Sequence, residues 1–171
     1  MLMIRAATSA DRDRLSRLGE ATYRSHFTAI WSPARLEAYI AAEYGPAALE
    51  RSLGGADGSL WLIAALADEP IGFAKLNWNR ALPIPPDRSG TELQKIYLLD
   101  EKTGKGHGGA MLEQIIDRAR QRGDKLIWLD VLKSNAGARA FYERHGFEVA
   151  GEIPFATDLR EIGMWVMARE L

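Results

Sequence analysis

Residues 103–114 read TGKGHGGAMLEQ, with four glycines in the six positions 104–109 and then an unbroken apolar helix pattern. A glycine-rich turn from a strand into a helix leaves N–H groups unpaired at the positive end of the helix dipole. Such a turn is an anion site, and its usual occupant is a phosphate or pyrophosphate. Glycine suits it because a Cβ would hold the ligand away from the backbone. The Walker pattern G-x-x-x-x-G-K-[ST] fails, since Gly106 follows Lys105 and Leu99 stands five places before Gly104. A dinucleotide fingerprint fits Gly104, Gly106 and Gly109, but late in the chain and after a hairpin rather than in a first βαβ unit. A tight turn without a ligand is the remaining alternative.

Several other side chains could carry chemistry. Asp130 lies inside LIWLDVL, where an unpaired carboxylate would be expensive, so it has either a partner or a task. Glu92 opens a strand and is a second candidate base, or else a surface carboxylate. Tyr142 is a phenol with an ordinary pKa of about 10, protonated at neutral pH and able to donate, or else an aromatic packing beside Phe141. Asn135 suits a helix N-cap, alternating with Ser134. The histidines 26, 107 and 145 are too scattered for a metal constellation, so no metal is expected. His107 is either solvated or touches the loop's ligand, and His145 sits at a helix C-terminus. His26 falls in ATYRSHFTAIWSPARLEAYI with Tyr23, Phe27, Trp31, Tyr39 and Tyr44, an aromatic set that lines a pocket or packs as core.

The elements that must position these groups follow from periodicity and breakers. Residues 2–7 read as a strand, 10–24 as a helix with Leu15, Leu18 and Thr22 on one face, and Pro33 starts a second helix presenting Leu36, Tyr39 and Ile40. Pro46 starts a short helical turn, ended by GGADG at 54–58. Residues 59–68 and 71–79 form a hairpin, and 80–90, with three prolines, is a loop. In strand 91–100, alternation puts Leu93, Lys95, Tyr97 and Leu99 on one face and Glu92, Gln94, Ile96 and Leu98 on the other. Helix 107–122 carries Gly108, Leu112, Ile115, Ile116 and Ala119, with Gly123 as its stop. Strand 126–132 is nearly continuously apolar and therefore central, covered on both faces. A capped helix at 134–146 and strands 147–155 and 161–170 complete the chain. The unit 91–132 reads as a right-handed parallel crossover.

The bulk numbers set bounds. A chain of 171 residues fits one domain with a comfortable core. The net charge of -1 disfavours nucleic acid as a partner. With no cysteine, disulfides, thiolate metal sites and cysteine nucleophiles are excluded. The start, MLMIRAATSADRDRL, lacks the pattern of a signal peptide, and no apolar run approaches the roughly 18 residues of a membrane span. The expected location is the cytoplasm, with no membrane partner.

The chain resembles the GNAT superfamily of acyl-CoA-dependent N-acetyltransferases over nearly its whole length. ELQKIYLLDEKTGKGHGGAMLEQII is similar to that family's strand, pyrophosphate loop Q/R-x-x-G-x-G/A and helix. SNAGARAFYERHGFEVAGE is similar to its signature N-x-x-A-x-x-F-Y-x-x-x-G-F. Thr103 departs from the usual Gln or Arg, with the glycines intact. The resemblance implies an α/β (α+β) fold with a bent, mostly antiparallel mixed sheet flanked by helices, whose central parallel strands 91–100 and 126–132 splay apart. It implies acetyl-CoA as cosubstrate, with its diphosphate on the N–H groups of Gly104, Lys105, Gly106, His107, Gly108 and Gly109 and with Thr103 at the start of the same cofactor loop. The pantetheine arm would lie along Ile96, Tyr97 and Leu98, with Asn135 and Tyr142 beside it. Tyr142 would protonate the leaving thiolate, and Glu92, Asp130 or water would be the base. The segment around His26, Phe27 and Trp31 would wall the acceptor site together with Glu92. The same segment, with KIYLL and GKG, is similar to bacterial polyamine N-acetyltransferases. The expected acceptor is a small amine or polyamine, against a peptide or protein acceptor or a CoA-binding regulatory module without transfer chemistry. Relatives dimerise, some through terminal strands, which gives EIGMWVMARE two readings, as an interface or as core.

Overall fold

The computed structural model describes residues 1–171. Its elements run β1 (Leu2–Ala6), α1 (Arg12–Phe27), α2 (Pro33–Tyr44), α3 (Pro46–Leu53), β2 (Ser59–Leu66), β3 (Glu69–Ala81), β4 (Ser89–Leu98), α4 (His107–Arg122), β5 (Leu126–Leu132), α5 (Ala136–Arg144), β6 (Glu148–Ile153) and β7 (Met164–Glu170). The strands form one mixed sheet in the order β1-β2-β3-β4-β5-β7-β6, and β4–β5 is its single parallel pair.

The helices begin where the sequence allows. Thr8 and Asp11 form a capping box on a single 3₁₀ turn ahead of α1. Pro33 and Pro46 occupy first turns, where a missing N–H costs nothing. The short turn expected at Pro46 is a full eight-residue helix. α1 runs to Phe27 rather than ending near 24, so His26 and Phe27 ride on a helix and not on a connecting segment.

Helices cover both faces of the sheet. On one, Met111, Leu112 and Ile115 of α4 pack on Leu62, Leu76 and Ile127. On the other, Leu15, Leu36, Ile40 and Leu49 of α1–α3 pack on Trp61, Ile63 and Phe73. Each fully buried Leu or Ile contributes about 1.5–3 kcal/mol. A Cβ on Gly19 would lie 2.1 Å from Tyr44 Cδ1, so a glycine lets α1 and α2 approach.

Two irregularities shape the site. The β3–β4 register runs Lys75↔Lys95 and then Leu76↔Leu93, which leaves Gln94 as an extra residue in a bulge. The bulge moves Leu93 out of the alternation expected along β4, which holds from Lys95 onward. Leu93 packs with Ile96 and Leu98 in the α4-side core, while Tyr97 and Leu99 join the α1–α3 side. The second irregularity is the fork. β4 and β5 pair only at Thr91↔Ile127 and Glu92↔Trp128 and then part. The proline loop is shorter than expected, because β3 continues to Ala81 and β4 begins at Ser89. β7 is paired on both edges, with β5 and β6, and its Val166 and Met167 are fully buried, so EIGMWVMARE is core. No helix is long and apolar enough to cross a membrane.

Candidate active site

The glycine loop leaves β4 through one 3₁₀ turn. Thr103 closes that turn, its N–H and Oγ1 both donating to the Asp100 carbonyl at 3.1 and 2.8 Å. Gly106 caps α4 with φ of 83°, a left-handed conformation that costs another residue roughly 1–2 kcal/mol. A Cβ at Gly104 or Gly106 would meet nothing within 4 Å, so the outer side of the loop is open. The first N–H of this region with a partner in the chain is that of Ala110, on Gly106 O at 3.1 Å. The N–H groups of Gly104, Lys105, Gly106, His107, Gly108 and Gly109 are thus unpaired at the start of a 16-residue helix. Lys105 is exposed and His107 half-buried on the first turn. Gly109 makes room for His145, whose imidazole would be 3.2 Å from a Cβ there and whose Nδ1 lies 3.0 Å from Glu113. His145 therefore packs α5 onto α4.

Where β4 and β5 part, a cleft of about 420 Å³ opens. Leu99 N–H donates to Ile71 O of β3, so alternation turns the backbone of Ile96 and Leu98 toward the gap and that of Tyr97 toward β3. Tyr97 reaches the cleft through its side chain instead. Burial, foremost, raises its phenol. Asn135 caps α5, accepting from Ala138 N–H at 3.1 Å, and lines the cleft as well, so the cap role does not withdraw it from the site.

The three titratable residues expected from the sequence to handle protons lie on three elements. Tyr142 of α5 packs edge-on against Phe147 and Phe141, with ring centroids 5.7 and 5.2 Å away, and its Oη has no hydrogen-bond partner in the chain. Burial pushes the phenol up, and the Asp130 charge adds to this. Asp130 is neither paired nor core. It projects into the cleft, where solvent reaches it although protein crowds most of its surroundings. Burial raises its pKa first and the Glu92 charge adds, against the opposing pull of Lys95. Glu92, half-buried in the same cleft, accepts from Asn77 Nδ2 at 2.9 Å, and the same amide reaches Gln94 Oε1 at 3.0 Å.

On the α1–α2 side, His26 Nε2 stands 3.4 Å from the Leu98 carbonyl and 3.7 Å from Asp100, with its ring stacked on Tyr97. Phe27 lines the cleft. Trp31 does not. Its Nε1 donates to Tyr23 Oη at 2.9 Å and its ring stacks on Tyr39, so it supports from behind the two tyrosines that do line the cleft. Tyr44 is core, 1% exposed. The residue most clearly missed from the sequence is Lys95. It is 4% exposed, lines the cleft and donates to Glu43 at 2.8 Å. The signal was available, since a lysine inside LQKIYLL is as anomalous as an aspartate inside LIWLDVL.

The family model of GNAT acetyltransferases matches residues 20–147. The chain belongs to the acetyltransferase (GNAT) family. Among solved structures, a PaiA N-acetyltransferase of Thermoplasma acidophilum in complex with coenzyme A aligns with a TM-score of 0.80 at 22% identity, covering 100% of this GNAT chain and 99% of that one. Among curated proteins, an L-methionine sulfoximine/L-methionine sulfone acetyltransferase of Pseudomonas aeruginosa is 31% identical over 101 residues, 58% of this chain and 55% of that protein. The [ribosomal protein bS18]-alanine N-acetyltransferase of Escherichia coli is 48% identical over 46 residues, 27% of this chain and 31% of that protein. The GNAT chain thus spans about half the length, or less, of the curated relatives it matches.

Proposed function

We propose that this chain transfers an acetyl group from acetyl-CoA to a primary amine, by direct attack in a ternary complex, with a small amine or polyamine as acceptor. One observation carries the reading. Six unpaired N–H groups at the start of α4 border a cleft that also holds an unpartnered phenol and two neighbouring carboxylates. The N–H groups and the open glycine loop suit a diphosphate. The free β4 edge at Ile96 and Leu98 suits the amides of a pantetheine arm, and Asn135 Nδ2 is available beside it.

Acetyl-CoA supplies an activated acyl carbon and a thiolate leaving group. In the proposed step the amine nitrogen attacks that carbon and the C–S bond breaks. Tyr142 donates its phenolic proton to the departing sulfur. Burial keeps the phenol protonated and equally raises the demand of a thiolate for a proton. The proton lost by the amine goes to Asp130 or Glu92. The raised pKa of Asp130 makes it the stronger base of an ordinary carboxylate kind. Both carboxylates also attract a cationic acceptor, which supports an amine or polyamine. The His26 and Phe27 wall, with Tyr39, closes that end. An unpaired carboxylate facing the cleft, raised above its ordinary pKa by burial, supports transfer chemistry over a binding module.

The test is thiol release from acetyl-CoA across small amines, polyamines, aminoglycosides and short peptides. A protein with no cysteine adds no background to a thiol reagent. Release with small amines or polyamines is expected. Release only with peptides would reassign the acceptor. Silence across the panel, with acetyl-CoA binding demonstrated, would overturn the transfer reading.

A further inference from the structure

Lys95 is an ammonium buried in the wall of the cleft, and a buried cation is costly unless paired. An apolar side chain beside the rings of Tyr39 and Tyr44 would carry no such cost. Lys95 is instead held on two sides. It donates to Glu43 Oε2 at 2.8 Å, and its Nζ lies 5.3 Å from the ring centre of Tyr44 and 6.0 Å from that of Tyr39. The Gln94 bulge aims it. By register Lys95 opposes Lys75, a second recessed cation, which turns toward Asp57 at 3.9 Å and the Trp61 ring. Two cations in one cross-strand pair oppose folding.

The fork places Lys95 beside the carboxylates. Glu92 pairs with Trp128 at the last parallel position, and beyond it Glu92, Lys95 and Asp130 line the same cleft. From α1, α2 and β3, the titratable groups facing this region are Tyr23, His26, Tyr39, Tyr44, Glu43 and Lys75. From β4, β5 and α5 they are Glu92, Tyr97, Asp130 and Tyr142. Among the charges that act on Asp130, Glu92 opposes its ionisation and Lys95 favours it.

We infer that Lys95 is a positioning residue for the acceptor side: clamped by Glu43 against Tyr39 and Tyr44, its ammonium faces the cleft shared with Asp130 and favours the anionic carboxylate that can take the acceptor's proton. The inference rests on the acetyl-transfer reading for its consequence in catalysis. Its electrostatic content stands apart from activity and can be measured separately. A lysine kept only for packing would leave the carboxylate's titration where it is.

The experiment titrates the Asp130 carboxyl by ¹³C NMR on protein labelled at aspartate Cγ, with Asp130→Asn giving the assignment. It compares wild type, Lys95→Met, Lys95→Arg and Glu43→Gln, and records the pH profile of kcat/KM for thiol release. In Lys95→Met, Asp130 is expected to titrate about one pH unit higher, with the acidic limb following and about a tenfold loss below it. Lys95→Arg restores both, because the charge returns. Glu43→Gln leaves the ammonium in place and does not raise the titration. A Lys95→Met titration within about 0.2 unit of wild type overturns the inference. So does a rise in Glu43→Gln equal to that in Lys95→Met, which would make the cause structural. If Lys95→Met does not fold, Lys95→Gln removes the charge while keeping a donor for Glu43 and is read in the same way. A shifted titration with no thiol release from any amine would overturn the transfer reading while leaving the role of Lys95 toward Asp130 intact.

Discussion

Replacing Tyr142 by Phe separates chemistry from packing more cleanly than any other change in this site. The substitution removes one oxygen. That oxygen has no partner in the chain, so no donor or acceptor is orphaned, and the ring contacts with Phe141 and Phe147 persist. Stability should move by no more than about 0.5 kcal/mol, which in a chain of this size is a melting shift of about 2 °C or less. The expected effect on turnover is of a different order. A positioned general acid contributes about 10²–10⁴-fold, or about 2.7–5.5 kcal/mol at 1.36 kcal/mol per decade. The phenol is held above its ordinary pKa by burial, so Tyr142 should add no limb to the wild-type pH profile below about pH 10. The assay is thiol release at saturating amine, with acetyl-CoA affinity followed by calorimetry and folding by thermal melt. The expected result is kcat lowered at least about a hundredfold, with acetyl-CoA affinity within about threefold. Turnover within about threefold of wild type would remove Tyr142 from the donor role. An unchanged kcat with a raised KM would reassign it to binding.

Further outcomes follow from the loop, the fork and the N-terminal ion pairs. Gly106→Val places a branched side chain at a φ of 83° amid the free N–H groups and should weaken acetyl-CoA at least about tenfold. Gly123→Ala, at a φ of 89° on the other end of α4, should cost about 1–2 kcal/mol of stability and leave calorimetric affinity unchanged. Asp130→Asn should lower kcat by about 10²-fold and yet raise the melting temperature at pH 7. The sign follows from linkage. Its folded pKa is raised, so the wild-type carboxyl releases its proton at lower pH in the unfolded state, and stability falls as pH rises between the unfolded and folded values. The gain from the substitution should therefore vanish below about pH 4. Asp11 is the opposite case. Its carboxyl is 5% exposed and held well below the usual range by the Arg5 guanidinium at 2.7 Å. Asp11→Ala should cost about 2 kcal/mol at pH 7, less than a fully buried pair because Arg5 is half exposed. That stability is present above the unfolded carboxylate's pKa and is lost as pH falls through the folded one. Wild-type and variant denaturant midpoints should therefore converge below about pH 4.

The parts of this molecule that sequence reading recovered are those specified by near neighbours in the chain. Glycines that must adopt left-handed conformations, prolines in first turns, an asparagine N-cap and the apolar stripe of α4 each act within about one helical turn. Local chemistry therefore announces them. The Gln94 bulge is different in kind. Nothing in TELQKIYLLD marks position 94, because a bulge is decided by the register of the partner strand, and β3 contributes Leu76 and Lys75 against Leu93 and Lys95. That one residue of offset puts Leu93 on the face of Ile96 and Leu98 rather than with Tyr97 and Leu99. The end of α1 was misplaced for a related reason. Phe27, in i,i+4 contact with Tyr23 on its own helix, also packs edge-on against Tyr97 of β4, a contact distant in sequence that the helix's own periodicity does not announce.

The same distinction explains which site residues were named and which were not. Asp130 and Lys95 are the same anomaly, a charge set in an apolar strand, and their meanings depend on partners distant in sequence. Asp130 has no partner and opens to the cleft, whereas Lys95 meets Glu43, 52 residues away, and sinks into the wall. Trp31 and Tyr39 reverse the expected order in the same way. Both belong to one aromatic series at near-helical spacing, yet the hydrogen bond from Trp31 to Tyr23 draws the indole behind the wall and leaves Tyr39 facing the cleft. A sequence can therefore announce that a buried charge or an aromatic series requires a reason. Which reason applies is decided by the pairing of β3 with β4 and the docking of α2. For that reason the Lys95 variants, more than any loop mutation, test whether the fork's carboxylates are tuned by the fold around them or by their own local sequence.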